Sequence, residues 1–476
     1  MLTQLTEQDA SFLYFETAET PEHVGGLNLV ASTGDPGEFY AAYRATIAGR
    51  MHLIPFLHQK LAQVPWQLDR PFWVEDDEVD LDYHIRRETL PKPGSMKQLE
   101  ELVGRLHSAL LDRTRPLWEF YVIDGLETGE LAIYTKIHHA AMDGASSQAL
   151  VRTMYDPTPL PRTFPPANPD QPHEHADLPH MIEGVLAHLV RQEIRAVQSV
   201  PHLLQAWTDL VLPNAQTLRF EGLAPLPITP RTLLNVGITN QRVYAARSLP
   251  LTTFKHIAKL TNTKINDVVL AVCSAALRGY LLDKNALPAR SLTASVPIAV
   301  RETADETTPN QNGMFLCSLA SDIADPLQRL AAIHTSSSQQ KERFKRLQHV
   351  PLPELTTAGG GPLLRQLVEL YGHSHASEIP LFGNLTISNV PGPNIPLYIA
   401  GARVVSLYPC SIPFHGAALN ITAQSYNDRL DFGLIGCRRA LPDLGILADL
   451  LSPSLLELHQ AVLSATSTAQ SERTQP

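Results

Sequence analysis

The sequence has few cysteines, few charged residues and no excess of basic residues. Its 476 residues include four cysteines, widely spaced and without a Cys-x-x-Cys pair, which is typical of reduced thiols in a cytosolic protein. The net charge of -10 argues against nucleic-acid binding, which needs a basic surface. Charged residues make up 18% and hydrophobic residues 44%, so the composition is that of a globular protein.

Targeting segments and long apolar runs are also missing. The first nine residues contain neither a basic stretch nor an apolar one, so we expect no signal peptide. The purest apolar run, residues 268–277, is much shorter than the roughly 20 residues that a membrane helix needs. Any contact with lipid is therefore expected at the protein surface.

The length suggests two domains, each large enough to bury its own core. Proline is dense between residues 156 and 172, a composition that resists regular structure. An amphipathic stripe follows at 182–207, either packed across the domain junction or lying on a membrane surface. The predicted division is an N-terminal domain at 1–165, a Pro-rich and helical linker at 166–228, a C-terminal domain at 229–465 and a disordered tail at 466–476.

A histidine pair follows a predicted strand at residues 131–137 in the first half. His138 and His139 are adjacent, and Asp143 and Gly144 come shortly after them, at a predicted strand-to-helix turn. Because side chains alternate along a strand, the two histidines should point to opposite faces. The face shared with His139 is the more apolar, so we expect His139 to point into the interior and His138 away from it.

A buried histidine at a strand end has three interpretations. It is a packed core residue, a general base whose unperturbed pKa lies near neutrality, or a metal ligand. Adjacent strand positions cannot easily direct both rings at one ion, and no cysteine or further ligand follows at helical spacing. We therefore predict no metal site.

The pair resembles the HHxxxDG signature of CoA-dependent acyltransferases, and the chain as a whole resembles the bacterial wax ester synthase/diacylglycerol acyltransferase family. Five further blocks carry this resemblance in the family's order: Asp9-Ala10-Ser11-Phe12, His23-Val24-Gly25-Gly26-Leu27, Arg115-Pro116-Leu117-Trp118-Glu119, Asn266-Asp267 and Ser388-Asn389-Val390-Pro391-Gly392-Pro393. His84 also resembles a family position. The superfamily's DFGWG motif is matched only in its first three residues, Asp431-Phe432-Gly433, which leaves the role of that segment open.

The resemblance implies a fold and a set of roles. The fold is mixed α/β, with two chloramphenicol-acetyltransferase-like domains joined by a helical crossover linker and a catalytic tunnel between them. His139 would be the general base and Asp143 a structural carboxylate, with His138 beside them and Asn266 completing the site from the second domain. The implied substrate-binding residues are Gly144, Pro116, Leu117 and Trp118.

The implied function is long-chain acyl-CoA:alcohol O-acyltransfer by direct attack, which yields triacylglycerol, wax esters or both. Acyl-CoA is a co-substrate, the acceptor is diacylglycerol or a long-chain alcohol, and no cofactor is implied. The expected location is the cytoplasm, peripherally on the inner face of the cell membrane or on lipid droplets. The alternatives are another hydroxyl acceptor, such as a polyketide or sugar lipid, and a non-catalytic homologue that binds acyl-CoA.

Overall fold

The computed structural model describes residues 3–31, 34–64, 69–142, 144–166, 229–300, 311–347 and 383–473, with isolated positions between 366 and 380. The predicted amphipathic stripe at 182–207, nearly all of the predicted linker and most of a helix predicted at 354–371 lie outside these residues. The described residues form two six-stranded mixed sheets and one three-stranded sheet, so the predicted mixed α/β class is confirmed.

The described residues of the first half supply seven strands and six helices. The strands are β1 (Thr3–Gln4), β2 (His23–Val30), β3 (Gln59–Ala62), β4 (Phe72–Glu75), β5 (Ile85–Thr89), β6 (Trp118–Asp124) and β7 (Leu131–His138). The helices are α1 (Glu7–Phe15), α2 (Pro36–Arg50), α3 (Pro55–His58), α4 (Leu81–His84), α5 (Met96–Ser108) and α6 (Gly144–Met154).

The second half supplies eight strands and five helices among its described residues. The strands are β8 (Arg242–Pro250), β9 (Thr293–Val300), β10 (Gln311–Ser318), β11 (Leu385–Val390), β12 (Tyr398–Ile399), β13 (Ala402–Cys410), β14 (Leu419–Tyr426) and β15 (Arg429–Cys437). The helices are α7 (Leu251–Thr261), α8 (Ile265–Asp283), α9 (Pro326–Leu347), α10 (Leu444–Asp449) and α11 (Leu451–Arg473).

The two large sheets exchange material across the domain boundary. The first sheet has the order β12-β13-β2-β7-β6-β5, and the second has the order β10-β9-β11-β14-β15-β8. Strands β12 and β13 come from the second half of the chain, yet β13 pairs antiparallel with β2. The predicted division at 229–465 is therefore modified at residues 398–410, which complete the sheet of the first half.

Strand β7 lies inside the first sheet, because it is paired on both of its edges. It pairs antiparallel with β6, which confirms the predicted hairpin, and antiparallel with β2. The backbones of β2 and β7 approach so closely at Gly25 that a Cβ atom there would lie 1.9 Å from the Thr135 carbonyl oxygen. Glycine is required at this position because the backbone contact leaves no room for a side chain.

Helix α5 begins at a capping box and turns its apolar face toward the domain junction. The Ser95 hydroxyl accepts a hydrogen bond from the Gln98 N–H, and the Gln98 side chain accepts from the Ser95 N–H. Leu99, Leu102 and Val103 pack into a cluster that also contains residues of β8 and β13. The junction between the halves is therefore part of a hydrophobic core.

Several strands of the second half were not predicted from sequence. Strands β8, β11 and β13 lack strict apolar alternation, because each is covered on both faces or pairs across the domain boundary. The hairpin at Asn427-Asp428 was predicted and is observed, with Asn427 in the left-handed conformation that such a turn favours.

The predicted disorder of residues 466–476 is wrong for 466–473, where α11 continues to Arg473. This segment contains no proline or glycine, so nothing in it ends the helix. The Thr466 hydroxyl also donates to the Val462 carbonyl oxygen one turn earlier.

Two described segments, Ile265–Asp283 and Leu444–Thr468, are long and apolar enough to span a membrane by length and composition. The first is the central helix of the second core, with Val268, Leu270 and Leu277 fully buried. A helix packed inside a core meets these criteria as readily as a membrane helix does, so they are weak evidence for a span.

Candidate active site

The histidine pair lies where β7 ends and a short 3-10 turn, His139–Ala141, begins. The His138 N–H donates to the Leu117 carbonyl oxygen at 2.9 Å, and the His139 N–H donates to the Glu22 carbonyl oxygen at 2.8 Å. The His138 ring then caps the turn, because its Nδ1 accepts a hydrogen bond from the Ala140 N–H at 3.0 Å. The backbone of both histidines is thus held on two sides.

The predicted orientation is wrong for His138. His138 is completely buried, whereas His139 retains a partly exposed side chain. The prediction took the more polar face of β7 to be open, but Ala132, Tyr134 and Lys136 on that face are fully buried. Alternation also ends at His138, since His139 belongs to the 3-10 turn rather than to the strand.

The His139 ring is stacked on Phe12 of α1, with ring centroids 3.9 Å apart and an angle of 14° between the planes. Its Nδ1 is buried and has no hydrogen-bond partner among the described residues. Burial lowers the pKa of His139 to about 4, with a further contribution from His138, although the backbone carbonyl of His139 opposes the change. The ring is therefore neutral at pH 7 and able to accept a proton.

Glu16 joins α1 to the histidine turn. It is the C-cap residue of α1 and is nearly buried, and its Oε1 accepts two hydrogen bonds from Arg113, from Nε at 2.9 Å and from Nη2 at 2.6 Å. Its Oε2 lies 3.2 Å from His138 Nε2, which is ion-pair distance but not the alignment of a hydrogen bond. Burial would raise the pKa of Glu16, but His138 and Arg113 more than offset this and hold it at about 2.

A second buried carboxyl group, Glu22, lies on the loop that receives the His139 N–H. Burial raises the pKa of Glu22, and so does the nearby Glu16 carboxylate, whereas Arg242 lowers it. The net result is a pKa of about 8. Glu22 is therefore mostly protonated at pH 7. Glu22 therefore adds little negative charge to that of Glu16 beside the histidine turn.

Lys136 belongs to β7, and its side chain lies on the face opposite to that of Ile137. It is fully buried, and its Nζ lies 2.8 Å from Glu119 Oε2 and donates to the carbonyl oxygens of Leu106 and Ala109. These carbonyl groups end α5, where a positive charge is favoured by the helix dipole. The pair fixes the end of α5 against β7.

The Pro116-Leu117-Trp118 block contacts the site through its backbone. Leu117 and Trp118 are completely buried; Leu117 packs with Ala140, and the Trp118 indole donates to the Leu57 carbonyl oxygen. The His84 ring stacks on Trp118 and bonds to its carbonyl oxygen at 2.7 Å. These contacts hold the start of β6, and the predicted contact of the block with substrate stays a prediction.

Residues from both halves meet behind the histidine turn. His23 Nε2 donates to the His107 carbonyl oxygen at 2.7 Å, and His107 Nε2 donates to the Ser411 carbonyl oxygen at 3.1 Å. Arg242, at the start of β8, is buried and donates from Nη2 to the Glu19 carbonyl oxygen at 2.7 Å. The loop before β2 is thus tied directly to the second half of the chain.

Sequence reasoning missed the roles of Phe12, Glu16, Arg113 and Arg242. Phe12 belongs to a block that the resemblance pointed out without a role. The other three carried no signal, because each meets its partner across many residues of chain: 97 between Glu16 and Arg113, and 223 between Glu19 and Arg242.

Asn266 lies in the first turn of α8 and lines a cavity of about 470 Å³. The described lining comes wholly from the second half of the chain: Lys264, Asn266, Val296, Pro297, Ile298, Phe315, Ser338, Lys341 and Glu342. Asp267, the neighbour of Asn266, caps the helix, because its carboxylate accepts the Lys264 N–H. The cavity containing Asn266 therefore has no described wall residue in common with the histidine turn.

Of the predicted residues Asp143 and Gly144, the structure describes only the second. Asp143 lies outside the described residues, and Gly144 begins α6.

A larger cavity of about 960 Å³ lies between the halves, with Arg105 of α5 and Arg242 of β8 in its wall. No group of three potential metal ligands occurs in the part of the chain that the structure describes.

The Asp431-Phe432-Gly433 segment has a structural role at the domain junction. Asp431 accepts hydrogen bonds from the Ser248 hydroxyl at 2.5 Å and from the Leu407 N–H at 2.7 Å, which links β15 to β8 and β13. A Cβ atom at Gly433 would lie 1.7 Å from the Pro409 carbonyl oxygen. The departure from the longer motif therefore leaves this contact between the sheets intact.

The paired mixed sheets have counterparts in solved structures. The chain superimposes over 97% of its length on the first condensation domain of the calcium-dependent antibiotic synthetase, with a TM-score of 0.53 and 16% identity, a likeness of fold alone. It superimposes with a TM-score of 0.69 on the wax ester synthase/diacylglycerol acyltransferase from Marinobacter aquaeolei VT8. That structure is 34% identical, and the match covers 97% of this chain and all of the other.

The model of the wax ester synthase/diacylglycerol acyltransferase catalytic domain matches residues 5–269, and that of the family's C-terminal domain matches residues 308–459. A Mycobacterium bovis protein named as a diacylglycerol O-acyltransferase is 36% identical over 95% of this chain and 98% of its own length. The Acinetobacter baylyi O-acyltransferase WSD is 36% identical over 91% of this chain and 92% of its own. The chain therefore belongs to the wax ester synthase/diacylglycerol acyltransferase family and is an acyltransferase.

Proposed function

We propose that the protein transfers a long acyl chain from acyl-CoA to the hydroxyl group of diacylglycerol or of a long-chain alcohol, with His139 as the base. The observation that carries the proposal is the neutral, partly exposed His139 ring, fixed by Phe12 and by the Glu22 carbonyl oxygen. The names of the relatives support the choice of acceptors.

The reaction proceeds in one attack without an acyl-enzyme. His139 takes the proton of the acceptor hydroxyl as its oxygen attacks the thioester carbonyl carbon. The tetrahedral intermediate then collapses, the carbon–sulfur bond breaks, and His139 returns the proton to the departing CoA thiolate. The products are an ester and CoA, and no metal or redox cofactor enters the balance.

The low pKa of His139 makes it a weak base before substrate binds. Negative charge that develops on the intermediate favours the imidazolium and so offsets part of this cost. The four cysteines are all free and buried, which leaves them poorly placed to act as nucleophiles in a two-step mechanism.

The cavity between the halves supports a route for substrates along the junction, because Arg242 in its wall reaches the loop that bears Glu22. Gly144 and the Pro116-Leu117-Trp118 block would shape the pocket near the turn. The protein would meet its lipid acceptors in the cytoplasm, peripherally at the inner face of the cell membrane or at lipid droplets.

The test is an assay of CoA release from palmitoyl-CoA with diacylglycerol, with a long-chain alcohol, with a polyketide or sugar hydroxyl, and with no acceptor. We expect release only with the first two, together with the matching ester. Release without acceptor, or a stable acylated protein with ping-pong kinetics, would contradict direct attack.

A further inference from the structure

The catalytic turn depends on which ring nitrogen of His138 carries the proton. Nδ1 accepts the Ala140 N–H at 3.0 Å, so it has no proton of its own in a neutral ring. The proton must therefore lie on Nε2, which faces Glu16 Oε2 at 3.2 Å. The observed turn is compatible with this tautomer alone.

Glu16 presents an oriented carboxylate to that proton. Oε1 is engaged by two N–H groups of Arg113, and Arg113 Nη2 also donates to the Leu13 carbonyl oxygen in α1. Oε2 remains for His138 and for the Glu22 N–H, which donates to it at 3.3 Å. The same carboxylate thus contacts the residue before His139 in the chain and the residue whose carbonyl oxygen holds the His139 N–H.

We propose that Glu16 is a positioning residue for the catalytic turn, which selects the Nε2–H tautomer of His138 and thereby keeps the Ala140 N–H, next to His139, in its place. Arg113 fixes the direction of the carboxylate. The catalytic consequence rests on the proposed function, in which His139 is the base, whereas the tautomer itself requires no substrate.

The substitution Glu16→Gln tests this because Arg113 dictates how an amide would lie. Arg113 offers only donors, so the amide oxygen must take the place of Oε1 and the amide NH₂ must take the place of Oε2. The NH₂ group then faces the His138 Nε2–H. If the ring shifts its proton to Nδ1, that proton faces the Ala140 N–H, so one tautomer sets two donors against each other at Nε2 and the other does so at Nδ1.

A matched control exists in the three-stranded sheet. Glu75 Oε2 lies 2.5 Å from His58 Nδ1, so Glu75→Gln makes the same chemical change beside another histidine. Each variant is assayed for kcat and for KM toward palmitoyl-CoA. The ¹⁵N spectrum of imidazole-labelled protein then reports the tautomer, with the His138 signals identified by their loss in His138→Ala.

We expect Glu16→Gln to lower kcat by ~10–100-fold, the usual cost of losing a partner that orients a functional histidine. KM should change by less than about threefold, and His138 should lose the Nε2–H signature. Replacing Arg113 with Met in the Gln variant lets the amide turn, and should restore that signature and part of kcat. Glu75→Gln should leave all three quantities unchanged.

Two results would overturn the proposal: kcat of Glu16→Gln equal to that of Glu75→Gln, or a large loss of kcat with the His138 tautomer unchanged. The wild-type spectrum is decisive even if Glu16→Gln does not fold, since an Nδ1–H tautomer there excludes the arrangement. Absence of turnover in the wild-type protein would instead count against the proposed function.

Discussion

The end of β7 and helix α8 differ in what they bury. At the end of β7 the first sheet encloses the charged or ionisable side chains of Glu16, Lys136 and His138. Helix α8, which packs against the second sheet, buries an almost wholly apolar surface, with Asp267, Ser274 and Tyr280 as its polar members. Burying charge is costly unless it is paired, so a cluster of paired charges around one turn indicates that the turn is held for chemistry.

The two halves of the chain also depend on one another for their structure. The first sheet is completed by β12 and β13 of the second half, and Arg242 ties β8 to the loop before β2. The charged end of β7 is therefore stabilised by residues from both halves.

Separating the halves should abolish activity altogether. A fragment of residues 1–165 retains His139 but leaves β2 without β13, so we expect no cooperative unfolding transition and no turnover. Deleting residues 467–476 from the full chain is the control, since the deletion leaves both large sheets intact. Circular dichroism melts and CoA release are measured on both, and robust turnover by the fragment would refute the shared sheet.

Replacing each histidine separates chemistry from support. His139→Ala should lower turnover by ~10²–10⁴-fold, the usual contribution of a general base. Its thermal midpoint should fall less than that of His138→Ala, because it loses the stacking on Phe12 but no hydrogen bond of Nδ1 to a described residue. His138→Ala leaves the Ala140 N–H without its acceptor and removes one of the partners of Glu16. It should therefore cost about 1–3 kcal/mol of stability and a smaller share of the rate.

Turnover per folded molecule and thermal midpoints are recorded on the same preparations, with Asp143→Asn beside them. The latter should resemble His138→Ala if Asp143 is structural. Equal catalytic loss in both histidine variants with unchanged midpoints would point to a shared role for the two rings, such as a metal site.

The pH dependence of kcat/KM should be that of an enzyme whose base is a buried, neutral histidine. Because the pKa of His139 is lowered to about 4, the base form persists as pH falls from 7 to 5, and kcat/KM should stay nearly constant. A histidine at the ordinary pKa of about 6.5 would lose about 25-fold over the same range. An inflection near 6.5 in initial rates would show that His139 is solvated in the working enzyme.

Stability should follow a different course over the same range. His23, His107 and His139 all have lowered pKa values, so the unfolded chain gains protons below pH 6.5 that the folded chain does not take up. These groups therefore destabilise the fold progressively as pH falls from 6.5 toward 4. Glu22 acts in the opposite direction: with a pKa raised to about 8, it contributes stability below pH 4.5 that is lost as pH rises to 8.

The sequence predicted most local structure and little of the long-range geometry. The start of α5 at Ser95, the β6–β7 hairpin and the hairpin at Asn427 follow from capping and turn chemistry, which act within a few residues. The entry of β13 into the first sheet depends on pairing with a strand nearly 380 residues earlier, which no local pattern encodes.

The positions of the side chains in the site could also be predicted only in part from the sequence. The resemblance identified the histidine pair, but alternation gave the wrong orientation for His138 because it cannot show that both faces of β7 are covered. Glu16 and Arg113 meet only in the folded chain, so their pairing could not be read from either segment.

The smallest effect is expected at Asn266. The resemblance placed it in the catalytic site, but its cavity is lined by described residues of the second half alone, and none of these belongs to the histidine turn. Asn266→Ala should therefore lower kcat by less than tenfold, about 1.4 kcal/mol, with His139→Ala assayed in parallel. Ser338→Ala, on the same cavity wall, is the matched control for a general change in that cavity. A loss at Asn266 as large as that at His139, with Ser338→Ala unaffected, would mean that the halves close on one another during catalysis and bring Asn266 to the reacting atoms.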